Sequence, residues 1–195
     1  MAKIIFIPFS NNEGNTGERA DANSWQTNIG GYHIVCYDGN HQHPIQTAGM
    51  FDEIYLIGHG GAGLDYIQSD KGTALRYDVV ADRLIASGLA AMYAGDVKIY
   101  ACHSGEASGS NLSFAKHFAR YLIKDRGRYL AAVYGYSGRL TARVFHEQTI
   151  GLNPDLTAIE VAHKKHHKWS KTNVGQPNET WTKAKNKRER FYGLV

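Results

Sequence analysis

The sequence predicts an α/β fold, a three-layer α/β/α sandwich around a mostly parallel central sheet. Two observations carry that expectation. Short, largely apolar runs such as Lys3–Phe9 (KIIFIPF), Ile54–Ile57 and Val97–Ala101 have the composition of strands buried on both faces. Between them lie segments with helical spacing, and strands alternating with helices argue for parallel neighbours joined by crossovers. At 195 residues the chain is long enough for one domain with a sizeable core, and no Pro-rich or Ser-rich linker divides it.

In order, Lys3–Phe9 reads as the first strand, and Ser10–Gly31 as a polar Gly/Asn-rich stretch with a short helix around Glu18–Trp25. Tyr32–Tyr37 reads as the second strand, closed by the turn signal Asp38-Gly39-Asn40. Glu53–Ile57 is the third, ending at Gly58-His59-Gly60-Gly61. Arg76–Tyr93 carries Val79, Val80, Leu84, Leu89 and Met92 near helical spacing, with Gly95 as a stop. The fourth strand is Val97–Ala101. Asn111–Ile123 follows as a helix with Ser110 or Asn111 as N-cap, and Leu130–Tyr136 is the fifth strand. Thr141–Gln148 reads as a further short helix and Thr157–His163 as a half-exposed strand.

Composition excludes several classes. No apolar run approaches the roughly 18 residues of a membrane span. The N-terminus reads as a strand rather than a targeting segment, so the expectation is a cytoplasmic protein, or one delivered into a target cell as an effector. Cys36 and Cys102 are the only cysteines and have no ligand-like spacing around them, which points to a reducing compartment and to no metal site. The His163, His166, His167 tract lacks acidic or cysteine partners and reads as solvated.

The net charge of +4 is unevenly distributed. Between Lys164 and Arg190 nine Lys/Arg face only Glu179 and Glu189, a local balance of +7 that leaves −3 for the rest. We therefore divide the chain into an α/β domain, residues 1–163, and a basic C-terminal extension, 164–195. A charge run this dense reads as a solvated arm, but the extension interleaves Trp169, Trp181, Phe191 and Tyr192 with its charges, and such aromatics can stack on bases of a nucleic acid or pack back onto the domain.

The chemistry-bearing residues stand at strand ends. His59 follows one apolar strand and Cys102 another, and in open α/β sheets ligands bind outside the carboxyl ends of strands. A thiol attacks acyl carbons as thiolate, and an imidazole can take up or return the proton. Gly60 leaves room for a substrate carbonyl, so its N–H and that of Cys102 could form an oxyanion hole. Residues from Ser104 to Ser110 lead into a helix whose N-terminal end is expected below the thiol, lowering its pKa. Cys36, inside a strand pattern, reads as core, and Gly135-Tyr136-Ser137-Gly138 lacks the second half of a serine-nucleophile turn.

His59-Gly60 and Ala101-Cys102, each after an apolar strand and with the His and Cys 43 positions apart, resemble the caspase-like cysteine peptidases. The resemblance spans roughly residues 3–136. Tyr100 before Ala-Cys and His103-Ser104 before Gly105 place it nearer the bacterial members, such as toxin self-cleaving domains and clostripain- or gingipain-like enzymes, than true caspases.

It implies a caspase-like sandwich and a cysteine endopeptidase of effector or toxin type, acting on a protein or peptide through a thioester. His59 and Cys102 are the implied dyad, and the Gly60 and Cys102 amides the implied oxyanion hole. His103, Ser104 and Arg139 are expected to contact substrate; Asp65 is an acidic alternative to Arg139 for choosing the side chain before the scissile bond. No cofactor is required. In the toxin domains a basic surface partly built by C-terminal strands binds inositol hexakisphosphate, so inositol phosphate or another polyanion is the expected activator through residues 164–195. Deamidase or transamidase chemistry would use the same thioester. The competing class is a caspase-like scaffold whose basic tail binds polyanion or nucleic acid.

Overall fold

The structure, a computed structural model, describes residues 2–39, 45, 49–140 and 184–192, together with the backbone alone of 145–146, 166–167, 169–172 and 180–183. In chain order these form β1 (Lys3–Ile7), α1 (Thr16–Asn28), β2 (Tyr32–Cys36), β3 (Glu53–Ile57), β4 (Tyr66–Gln68), β5 (Ala74–Arg76), α2 (Tyr77–Ala86) and β6 (Asp96–Tyr100). Then come α3 (Phe114–Ala119, continued by a π turn over Arg120–Asp125), β7 (Ala132–Tyr136), β8 (Arg139–Leu140), β9 (Phe145–His146), β10 (His166–His167), β11 (Trp169–Thr172), β12 (Thr180–Lys183) and β13 (Arg188–Phe191).

Six strands build the central sheet in the order β2-β1-β3-β6-β7-β13. The first five are parallel and β13 runs antiparallel at the β7 edge. The order reverses at β1, the kind of switch point where crossovers leave to opposite sides. Side chains alternate across the sheet. One face therefore presents Tyr32, Tyr55, Lys98, Tyr100 and Tyr136, and Trp25 of α1 packs edge-on against Tyr55 and Tyr100 there. On the other, Gly135 lies so close to Ala115 of α3 that an added Cβ would come within 2.6 Å of the alanine methyl. Helices thus cover both faces of a mostly parallel sheet, compatible with the expected three layers.

Lys98, only 2 % exposed, is held on the tyrosine face by Glu53 at 2.5 Å and by the Tyr55 ring at 5.0 Å. Strands buried this thoroughly explain why β1 and β3 read as apolar runs after their first residue, and why β6 does so apart from Asp96 and the paired Lys98.

Several boundaries differ from expectation. The helix expected to reach Tyr93 ends at Ala86, because Gly88 at φ 102° supplies the left-handed residue of a Schellman cap. Its amide bonds to Ile85 O and that of Leu89 to Leu84 O. The next helix begins at Phe114 rather than Asn111: Ser113, not Ser110 or Asn111, caps it by accepting from the Lys116 amide. Within the expected helix 141–148, Phe145–His146 form a strand paired with His166–His167; the rest of that segment, and Thr157–His163, lie outside the described residues.

The basic extension also joins the fold. β11 pairs with β8 and β12, and β13 is an edge strand of the central sheet, with Phe191 and Ala184 buried. A boundary at 163/164 therefore does not set the extension apart from the sheet. Arg188 and Arg190 stack on Tyr134, so a strand of mostly charged residues protects the edge it occupies. No helix among the described residues is long and apolar enough to cross a membrane.

The loop after β1 is pinned by an ion pair. Arg83 of α2 reaches Glu13 through both guanidinium nitrogens, at 2.6 and 2.7 Å, and also donates to Pro8 O. This guanidinium holds the Glu13 carboxyl down at about 2. A carboxyl depressed in the folded state stabilises fully above its unfolded pKa and loses that contribution as pH falls towards its folded value. Arg83→Met should therefore cost about 2–3 kcal/mol at pH 7, and the gap to wild type should close between roughly pH 4.5 and 2. Denaturant titrations across that range read the effect, and a gap unchanged by acid would contradict it.

Candidate active site

β3 and β6 are neighbours, with Ile57 opposite Tyr100, so His59 and Cys102 each lie two residues beyond a matched pair. They leave the sheet at the same level of the same edge. Both line one cleft of about 440 Å³, its open mouth included, with Glu18, Trp25, Tyr100 and Leu140 among the other walls.

The β4–β5 hairpin fixes the histidine. His59 exchanges both backbone hydrogen bonds with Gln68, at 2.8 and 2.9 Å, leaving its side chain 62 % exposed. Asp70 in the hairpin turn also accepts from the Gly17 amide at 2.8 Å, satisfying a donor in the first turn of α1 where Asn15 makes no side-chain cap. One hairpin thus aligns His59 with the first turn of α1. Sequence reading passed over this hairpin, although Asp70-Lys71-Gly72, with Gly72 at φ 81°, is a turn signal.

Gly60 lies directly against the Cys102 backbone. A Cβ there would sit 2.6 Å from Cys102 O and 3.1 Å from the Ala101 methyl, so only glycine fits. Neither the Gly60 nor the Cys102 amide donates to a backbone carbonyl among the described residues.

Cys102 is half-buried. Its sulfur accepts from the Leu140 amide at 3.3 Å and faces the Leu140 carbonyl at 3.9 Å. Burial pushes the thiol pKa up, against smaller downward pulls from the Leu140 amide and the Arg139 charge. This corrects the expectation of a helix-lowered thiol. Burial outweighs any pull from α3, whose first-turn Ala115 amide is taken by Ser104 O at 2.9 Å. Burial likewise raises the Cys36 thiol.

The loop after Cys102 is tightly held. His103 takes φ 54°, uncommon for a non-glycine residue and costing of order 1–3 kcal/mol where the surroundings enforce it. Glu106 enforces it by bridging His103 Nδ1 at 2.6 Å and the Gly138 amide at 2.9 Å, while the His103 amide donates to Gly138 O.

Of the residues expected to contact substrate, Ser104 is corrected by its burial. At 1 % exposure it donates to Ile99 O at 2.7 Å and accepts from the Tyr136 amide at 3.0 Å, so it fastens the loop after Cys102 to β6 and β7. His103 is bound to Glu106 and does not line the cleft; Arg139 is exposed, and its neighbour Leu140 forms the wall. Asp65 pairs with Arg76 at 3.6 Å.

Glu18 is the site residue that sequence reading missed as a functional group. Its side chain is 4 % exposed, lines the cleft, and places Oε1 3.8 Å from His59 Nε2. Compared with known proteins, the chain matches no protein-family model and no curated protein sequence.

Proposed function

We propose that the protein is a caspase-like cysteine endopeptidase in which Cys102 is the nucleophile and His59 the proton carrier. The observation that carries this reading is the opening of both side chains onto one cleft from matched positions at the ends of adjacent parallel strands. A structural role requires neither an exposed imidazole there nor a glycine pressed against the cysteine backbone.

In the first step the thiol proton passes to the imidazole as sulfur bonds to the substrate carbonyl carbon, and the carbonyl electron pair moves to oxygen. The Gly60 and Cys102 amides, which donate to no backbone carbonyl among the described residues, are the donors available to that oxygen. Collapse of the tetrahedral species breaks the C–N bond, and the imidazolium returns its proton to the leaving amine. Water then adds to the thioester, the histidine taking its proton, and the carboxylic acid and thiol are released. A thiol whose pKa is raised by burial rests protonated, so proton removal accompanies attack rather than preceding it.

Turnover of a fluorogenic peptide library by wild type and Cys102→Ala tests the proposal. Cleavage should fall to background in the variant while its Tm stays close to wild type. Cleavage surviving in Cys102→Ala would end the reading.

A further inference from the structure

Glu106 stands four residues beyond Cys102, in a loop of mostly small residues, and joins three segments that each carry a part of the site. One carboxylate oxygen pairs with His103 Nδ1 at 2.6 Å, in the turn that carries Cys102. The other accepts from the Gly138 amide at 2.9 Å, in the turn between β7 and β8. Its backbone carbonyl accepts from the Gly63 amide at 2.9 Å, in the loop that follows His59 and Gly60. Gly63, at φ 69°, is pressed so closely on the loop beyond Glu106 that an added Cβ would come within 2.6 Å of the Ser108 side chain.

The contact with Gly138 bears on the thiol. Gly138 lies two residues before Leu140, whose amide donates to Cys102 Sγ at 3.3 Å. A donor held on sulfur favours the thiolate, the form that attacks. Gly138 takes φ 79° and is held on both sides, its amide by Glu106 and its carbonyl by the His103 amide at 2.9 Å. His103 in turn sits at φ 54°, a backbone state that its surroundings must enforce, and the Glu106 side chain enforces it. Both bonds that fix Gly138 to the Cys102 loop therefore run through one carboxylate. Two acceptor oxygens in one plane suit that task, and a charged acceptor makes the stronger bond to an amide.

Resting on the peptidase reading above, we infer that Glu106 is a positioning residue for the reaction at Cys102: through Gly138 it keeps the Leu140 amide on the sulfur, and through His103 it fixes the turn that presents the Cys102 amide. Glu106 itself is not among the residues that line the cleft, so it acts through these neighbours. The direction of its effect separates position from charge. A carboxylate near a thiol opposes thiolate formation by like charge, so removing its charge alone would speed alkylation. Removing it as the anchor of a donor slows alkylation instead.

The test is the rate at which Cys102 of the full chain is modified by iodoacetamide across a range of pH, and by a peptidyl acyloxymethyl ketone, in wild type, Glu106→Ala and Glu106→Gln, with adducts located by peptide mapping. Glu106→Ala should be alkylated about three- to tenfold more slowly near neutral pH, the gap closing at alkaline pH where both proteins carry thiolate. The peptidyl probe, which also needs the Cys102 amide, should be slowed at least as much. Glu106→Gln keeps an acceptor for the Gly138 amide and offers a donor to His103 Nδ1 in its other tautomer, so it should restore most of the wild-type rate. A Glu106→Ala profile that overlays wild type, or runs faster, would overturn the inference while leaving the peptidase reading standing. A Glu106→Gln protein with the wild-type Tm but alkylated about tenfold more slowly would also overturn it, because charge and not position would then hold the site; that arm stands whether or not the alanine variant folds. If iodoacetamide modifies wild-type Cys102 and the peptidyl probe does not, the peptidase reading fails, and this inference with it.

Discussion

Gly60→Ala is expected to abolish capture of substrate-like probes by Cys102 and to destabilise the fold by about 1–3 kcal/mol. The added methyl would meet the Cys102 carbonyl oxygen at 2.6 Å, and that oxygen belongs to backbone with little room to retreat. The loop beyond it is fastened by the His103 amide to Gly138 O, by Glu106 to both His103 and Gly138, and by Ser104 to β6 and β7. Relief must come at the end of β3, which displaces His59 from its hairpin and parts it from Cys102. Gly61→Ala is the control: its methyl would meet the Leu64 side chain at 2.9 Å, a contact that a rotamer change relieves. Labelling rates and Tm values for both variants decide the matter. A Gly60→Ala protein that labels like wild type would show that this contact does not position the dyad.

Trp25→Ala is expected to be the most damaging single truncation, at about 3–5 kcal/mol and a Tm lower by about 10 °C for a chain of this length. Trp25 is 1 % exposed and joins α1 to three strands: its ring meets Tyr100 at 4.6 Å, Tyr55 at 5.7 Å and Tyr32 at 5.8 Å, the first two edge-on. Such pairs contribute beyond their buried area. The same ring is a wall of the cleft, so its loss enlarges the site while loosening the helix that holds Glu18. A calorimetric shift below about 2 °C would contradict this placement of the core.

Much of the sheet was legible because strands covered on both faces are mostly apolar, and β1, β3, β6 and β7 were each found within a residue or two. His59 and Cys102 stood out for a related reason: a polar, reactive residue directly after such a run has left the core. Their matched level depends on β3 and β6 being adjacent and in register, which strand sequences alone do not specify.

The thiol environment was misread because burial of Cys102, which a strand-end position does not reveal, outweighs its polar neighbours; the helix start was missed because several small polar residues compete to cap it. Ser113 wins by bonding to the Lys116 amide, and Ser104 O occupies the Ala115 amide. Glu18 was hidden by the polarity of α1, whose sequence TGERADANSWQTN resembles a solvated helix; the clue was its spacing to Ala22 and Trp25. β13 read as a charged tail for a physical reason as well. At a sheet edge its arginines lie over Tyr134, and only Phe191 needs to be apolar.

The central claim is that Cys102 reacts through His59. The measurement that tests it most directly is the intact mass, over time, of wild type, Cys102→Ala and His59→Ala after mixing with a peptidyl acyloxymethyl ketone. One adduct is expected on wild type, located at Cys102 with Cys36 unmodified, none on Cys102→Ala, and a severely slowed reaction on His59→Ala. An adduct that persists in Cys102→Ala, or forms on His59→Ala at the wild-type rate, would contradict it.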